Sequence, residues 1–144
     1  MTDSVLAYKE IANLSNAGVD TSSISFNAVT MNSDKYICVR NQGKVQIFDF
    51  NNFYGPQSFN IRADYAVMHQ TKNIIALKAN NVIQIVNLDT KQTLSQKTFP
   101  NESILYLKWI DSKTLAFITQ TYRVKTMNKI LNLKSEKIYS QKFL

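Results

Sequence analysis

The chain has 144 residues, of which 44% are hydrophobic, 19% charged and 11% aromatic, the balance of one folded domain or a piece of one rather than of a disordered segment. One Cys and one His exclude a disulfide framework, a multi-thiolate metal site and a histidine-rich one, and three Gly nearly exclude phosphate-cradling loops. The net charge of +7 favours acidic partners, but the tail lysines (Lys125, Lys129, Lys134, Lys137, Lys142) are spread out, as on a solvated face.

The N-terminal stretch MTDSVLAYKEIANL carries Asp3 and Glu10 and no long apolar core, so it does not read as a secretory signal. No stretch approaches the roughly 18 apolar residues of a membrane span. These features predict a soluble protein in a reducing compartment, with Cys38 a free, buried thiol. Residues 4–14 read as an extra strand, although Val5, Tyr8 and Ile11 would also suit one helical face.

Three self-similar units follow. MNSDKYICVR (31–40) with KVQIFDF (44–50) matches MHQTKNIIALK (68–78) with VIQIVNL (82–88), and WIDSKTLAFIT (109–119) opens a third copy. The matching lysines, Lys35, Lys72 and Lys113, lie 37 and then 41 residues apart. Each unit reads as short apolar strands between polar turns, with strands expected at 36–40, 45–50, 73–78, 82–88 and 114–119. Gln42-Gly43 and Asn80-Asn81 suit two-residue hairpins because Gly and Asn tolerate positive φ. After Thr119 the pattern loosens, and YRVKTMNK (122–129) is poor strand material.

Four short strands in roughly 40 residues is a β-propeller blade. The expected fold is therefore all-β, an incomplete propeller of about three four-stranded blades. It divides into a closing strand and lead-in (1–21), blade 1 (22–62), blade 2 (63–105) and blade 3 with a divergent tail (106–144). Rings close with about four to eight blades. Three blades thus read as a fragment, a truncated paralogue or a divergent product, with apolar blade faces that neighbours should cover.

AVTMNSDKYICVR, ADYAVMHQTKNIIALKANNVIQIVNLDTK and LKWIDSKTLAFIT, with NLSNAGVDTSSISF upstream, resemble the amino-terminal propeller of the clathrin heavy chain. The resemblance runs over roughly residues 8 to 120 and rests on ordered, dispersed motifs. It implies a seven-bladed ring that continues into a long helical leg, of which this chain carries about three blades. It implies a structural, peptide-binding module of vesicle coats in intracellular, vesicle-mediated transport, neither enzymatic nor cofactor-dependent. The implied setting is the cytoplasmic periphery of coated pits and vesicles. Implied partners are clathrin-box-type adaptor peptides and other clathrin chains, with membranes reached only through adaptors and no nucleic acid.

The resemblance also implies a groove between blades 1 and 2 for an acidic-hydrophobic peptide. Ile75 and Val86 would line its apolar pocket, Gln84 would hydrogen-bond the peptide, and Lys91 would face its carboxylate. Val82, Val86 and Thr93 stand where the family has a small hydroxyl residue, an aromatic and a second lysine, which predicts a weakened groove. Phe26 matches an aromatic of a second peptide site on the ring's top face.

Each assignment has a plainer counterpart. Ile75 lies mid-strand, where blade core is the commoner role. Gln84 repeats as Gln46 and suits an outward blade position. Lys91 lies on a turn, and Trp109 suits buried core. His69 lies on a turn without a nucleophile in a recognisable arrangement. A basic propeller fragment that binds nucleic acid, or a generic interaction scaffold, is the alternative, although no aromatic sits in a Lys/Arg-rich platform. Nothing matches a phosphate loop, Gly-x-Ser-x-Gly, His-Glu-x-x-His or a carboxylate dyad.

Overall fold

A computed structural model describes residues 5–121, 123–128 and 137–142. It contains three antiparallel sheets of four strands each. Blade 1 comprises β1 (Val29–Thr30), β2 (Tyr36–Asn41), β3 (Lys44–Asp49) and β4 (Gln57–Phe59). Blade 2 comprises β5 (Tyr65–Met68), β6 (Ile74–Ala79), β7 (Val82–Asn87) and β8 (Gln92–Thr98). Blade 3 comprises β9 (Ile104–Asp111), β10 (Thr114–Thr119), β11 (Arg123–Asn128) and β12 (Lys137–Lys142). The first strands of successive blades adjoin, as inner strands around a propeller axis do. The five strands expected from the apolar runs lie within one residue of these bounds.

Hairpin chemistry sets the registers. Gln42 and Gly43 both have positive φ, 47° and 78°, matching the twist of a two-residue hairpin between β2 and β3. Asn80 takes φ 53° at the corresponding turn of blade 2. The period of two then decides what each blade buries. Ile75 and Leu77 point with Leu88 into a cluster with Tyr36, Cys38 and Ile47 of blade 1. Ile74, Ala76, Ile83 and Ile85 point the other way, against Leu107, Trp109, Leu115 and Phe117 of blade 3. Blade 2 is therefore apolar on both faces, which is why IIAL is a continuous run rather than an alternating one.

The opposite face of blade 1 is covered by the chain's own lead-in. Val19, with Leu14 and Ala17, packs on Val39, Phe48 and Phe53. Residues 6–13 carry neither strand nor helix, and Val5, Tyr8 and Ile11 are exposed. The described residues of 1–21 hold no strand.

YRVKTMNK corrects the expectation of weak strand material: its residues 123–128 form β11. The strand pairs with β10 from Ile118↔Val124 to Thr114↔Asn128, and Met127 is fully buried. Lys125 disguises the pattern. Its ammonium lies 5.5 Å from the Phe99 ring centre and donates to Glu102 Oε2 at 2.8 Å, so its stem covers apolar surface. Those hydrogen bonds, from Lys125 and from Thr121, hold the Glu102 carboxyl below its ordinary range.

Polar side chains link blade 1 to blade 2. Thr30 Oγ1 donates to Ala66 O at 2.5 Å, and Ser33 Oγ to Gln70 O at 2.9 Å. Among the described residues, no helix is long and apolar enough to cross a membrane.

Burial raises the Cys38 thiol to about 12, and its side chain is 1% exposed. We therefore expect Cys38 in the native protein to resist thiol reagents at pH 8 and to react promptly after denaturation. Rapid labelling of the native protein would contradict this packing.

Candidate functional site

A groove opens on the outer side of the junction between blades 1 and 2. β4 has only three residues, so the outer part of the facing blade 2 sheet is left uncovered. Ser58–Arg62 forms one wall, while Leu77, Gln84, Val86, Leu88 and Lys91 form the other, enclosing about 580 Å³. The blade 2 wall follows from strand pairing. Leu77 pairs with Gln84 and Ile75 with Val86, which puts all four side chains on the face toward blade 1.

Three of the sequence-derived residues meet in this groove: Gln84, Val86 and Lys91. Gln84 Nε2 donates to Gln96 Oε1 at 2.9 Å, which fixes the amide on the wall. Lys91 is exposed on the β7–β8 turn at φ 57°. Val86 is half-buried. Ile75 lies one strand further in, in the row Met68–Ile75–Val86–Thr93, and is fully buried in the blade 1–blade 2 cluster. It supports Val86 from beneath and is not part of the lining. Val82 continues the same face toward the β6–β7 turn, and Thr93 is exposed beside Val86.

The first wall was missed in the sequence. Phe59, Ile61 and Arg62 lie in SFNIR, between two repeats, where the alternation of Phe59 and Ile61 is the available signal.

Phe26 lies elsewhere. It is 91% exposed and borders a hollow of about 310 Å³ at the inner strands, together with Met31, Asn32, Tyr65, Tyr106 and Lys108. The rings of Tyr65 and Tyr106 lie 5.6 Å apart. Burial, then the neighbouring Tyr106, raises the Tyr65 hydroxyl to about 12.

His69 is a structural residue. It is fully buried and meets Trp109 edge-on at 4.9 Å. Its Nδ1 accepts from the Thr71 and Lys72 amides at 3.1 Å each. Nε2 therefore carries the proton and donates to Ser112 O at 2.8 Å, joining blade 2 to blade 3.

Residues 18–51 match the clathrin propeller repeat family. The Drosophila melanogaster clathrin heavy chain is 38% identical over 120 residues, covering 81% of this chain and 7% of the relative. Clathrin heavy chain 1 of Arabidopsis thaliana is 39% identical over 122 residues, covering 78% of this chain and 7% of that one. Clathrin heavy chain 2 of Homo sapiens is 34% identical over 118 residues, covering 79% and 7%. The chain thus spans 7% of the length of these relatives. Among solved structures, Kluyvelomyces marxianus Hsv2 superposes with a TM-score of 0.64 at 14% identity, covering 81% of this chain and 40% of that one. The C-terminal WD40 domain of Sif2 gives 0.53 at 15% identity, covering 72% and 32%. At such identities these two likenesses speak for the fold alone.

Proposed function

We propose, from the premise that this chain is a stretch of clathrin-type propeller, that it serves as a peptide-binding module of a vesicle coat. Its ligand is an extended acidic-hydrophobic segment of an adaptor tail. Its setting is the cytoplasmic periphery of coated pits and vesicles, reached through adaptors. The observation that carries this reading is the convergence of Gln84, Val86 and Lys91 on one groove between blades 1 and 2. Apolar peptide side chains would sit against Val86, Leu88 and Phe59, the Gln84 amide would bond the backbone, and Lys91 would meet a carboxylate.

The groove offers few anchors. Val86 offers less surface than an aromatic, and Thr93 supplies no charge. Few anchors must overcome the ordering entropy of a short peptide. The expected dissociation constant is at or weaker than roughly 100 μM. Lys91→Glu should weaken binding further, and more so at low salt, because it reverses the charge that meets the carboxylate. Gln84→Ala should weaken it without altering the salt dependence. Fluorescence titration of a labelled peptide against the three proteins checks both. Equal binding by wild type and Lys91→Glu at low ionic strength would remove the groove assignment.

A further inference from the structure

A second hollow, of about 390 Å³, adjoins the groove. It lies between the β2–β3 turn, residues 61–64 and the end of β6, and Ile61 and Arg62 border both spaces. Two arginines line it, Arg40 and Arg62. Arg40 is held in place by Nη1 donating to Ala63 O at 3.1 Å and Nη2 to Asn27 O at 3.3 Å. Its Nε is buried and has no hydrogen-bond partner among the described residues. Such a donor is unusual in a folded protein and calls for an acceptor. Arg62 is exposed, and its side chain lies over Gly43 at the mouth of the hollow. Asp64 also lines the hollow; its Oδ2 accepts from the Asn80 amide at 2.8 Å and lies 3.9 Å from Lys78 Nζ.

The strand registers place this hollow at the opposite end of the groove from Lys91. β4 runs antiparallel to β3 with Phe59 beside Val45, so the chain after it heads for the β2–β3 turn. β7 begins at that same end and finishes at the turn that carries Lys91. Its six residues span roughly 17 Å at about 3.3 Å each, the reach of five or six residues of extended peptide.

We infer that the Arg40–Arg62 hollow is an anion subsite, which takes an acidic or phosphorylated side chain of a peptide seated in the groove. The inference rests on the peptide-binding reading above. It specifies the ligand as a segment with anionic groups at both ends and an apolar centre, the two charges about six residues apart. Arg62 supplies a planar fork suited to a carboxylate or a phosphoryl group, and Arg40 deepens the positive field behind it.

The test uses three labelled peptides at low salt: an acidic-hydrophobic core, and two extended versions of it that carry a phosphoserine or a glutamate about six residues from its acidic residue, at the other end of the apolar stretch. Each is titrated against wild type, Arg62→Ser and Arg62→Lys, with far-ultraviolet spectra to establish folding. The extended peptides should bind wild type roughly three- to fivefold more tightly than the core, the increment of one partly exposed charge contact. That gain should vanish in Arg62→Ser and return in part in Arg62→Lys. The phosphoserine and glutamate arms separate the two anion sources. If the core binds and neither extension adds affinity, or the gain survives in Arg62→Ser, the subsite is overturned while the groove stands. If only extended peptides bind, and do so through Arg62, then Arg62 holds the anion of a peptide that does not lie in the groove, and the subsite as stated falls with the groove reading. Binding of none of the three removes both.

Discussion

Trp109→Ala should destabilise the protein by about 3–5 kcal/mol, the usual cost of emptying a fully packed aromatic site. Trp109 joins all three blades. Its indole is fully buried between blades 2 and 3, edge-on to His69, and its Nε1 donates to Val67 O at 3.3 Å. Its backbone amide and carbonyl are both held by the Asn32 side chain of blade 1 at 2.9 Å. The alanine variant keeps the backbone clamp and loses the indole. Trp109→Phe should cost less, since an aromatic ring remains to meet His69. Urea titration followed by circular dichroism measures both. A loss below about 1 kcal/mol for the alanine variant would show that blade 3 is not docked on blade 2 through this residue.

Ile75 and Val86 should separate stability from binding. They are cross-strand neighbours on one face, yet Ile75 is fully buried and Val86 borders the groove. Ile75→Ala should cost about 2–5 kcal/mol of stability through its cavity, and the remaining folded protein should bind the core peptide much as wild type does. Val86→Ala, at a half-buried position, should cost about 1 kcal/mol and weaken the peptide by roughly three- to tenfold through lost apolar contact. Calorimetric unfolding paired with peptide titration decides. If Ile75→Ala is well folded and no longer binds, Ile75 belongs to the pocket wall.

The hairpins were legible because local chemistry specifies them. Gln42-Gly43 supplies the positive φ that β2 and β3 require, and the apolar runs on either side repeat as IIALK and VIQIVNL in blade 2. The shortest strands were not. Val29–Thr30 and Gln57–Phe59 exist through pairing with β2 and β3, and two or three residues carry no period of their own. β11 was hidden because Lys125 occupies a blade-facing position, and only the fold reveals that Glu102 and Phe99 receive it. His69 read as a turn residue because its partner, Ser112, is 43 positions away.

The groove divides in the same way. Gln84, Val86 and Lys91 are the residues that the family resemblance implies, and they lie within one hairpin and its turn, so strand pairing alone brings them together. The wall from Ser58 to Arg62 comes from the preceding repeat, and its approach depends on how two blades pack, which neither repeat encodes alone. Ile75 shares a face with Val86, but depth along that row is set by blade 1, which covers the inner strands and leaves the outer ones open. Leu105 and Ile110 are exposed apolar residues of β9, and Val5 and Tyr8 are exposed in the lead-in.

The proposed place of the acidic-hydrophobic peptide, in the groove between blades 1 and 2, can be read residue by residue. Nuclear magnetic resonance of isotope-labelled protein, titrated with the unlabelled core peptide, tests it most directly. Progressive amide shifts are expected at Ser58, Phe59, Ile61, Gln84, Val86, Leu88 and Lys91, with Phe26, Tyr106 and Lys108 unmoved. Shifts centred on Phe26 and Tyr106, with Gln84 and Lys91 unchanged at saturation, would contradict it.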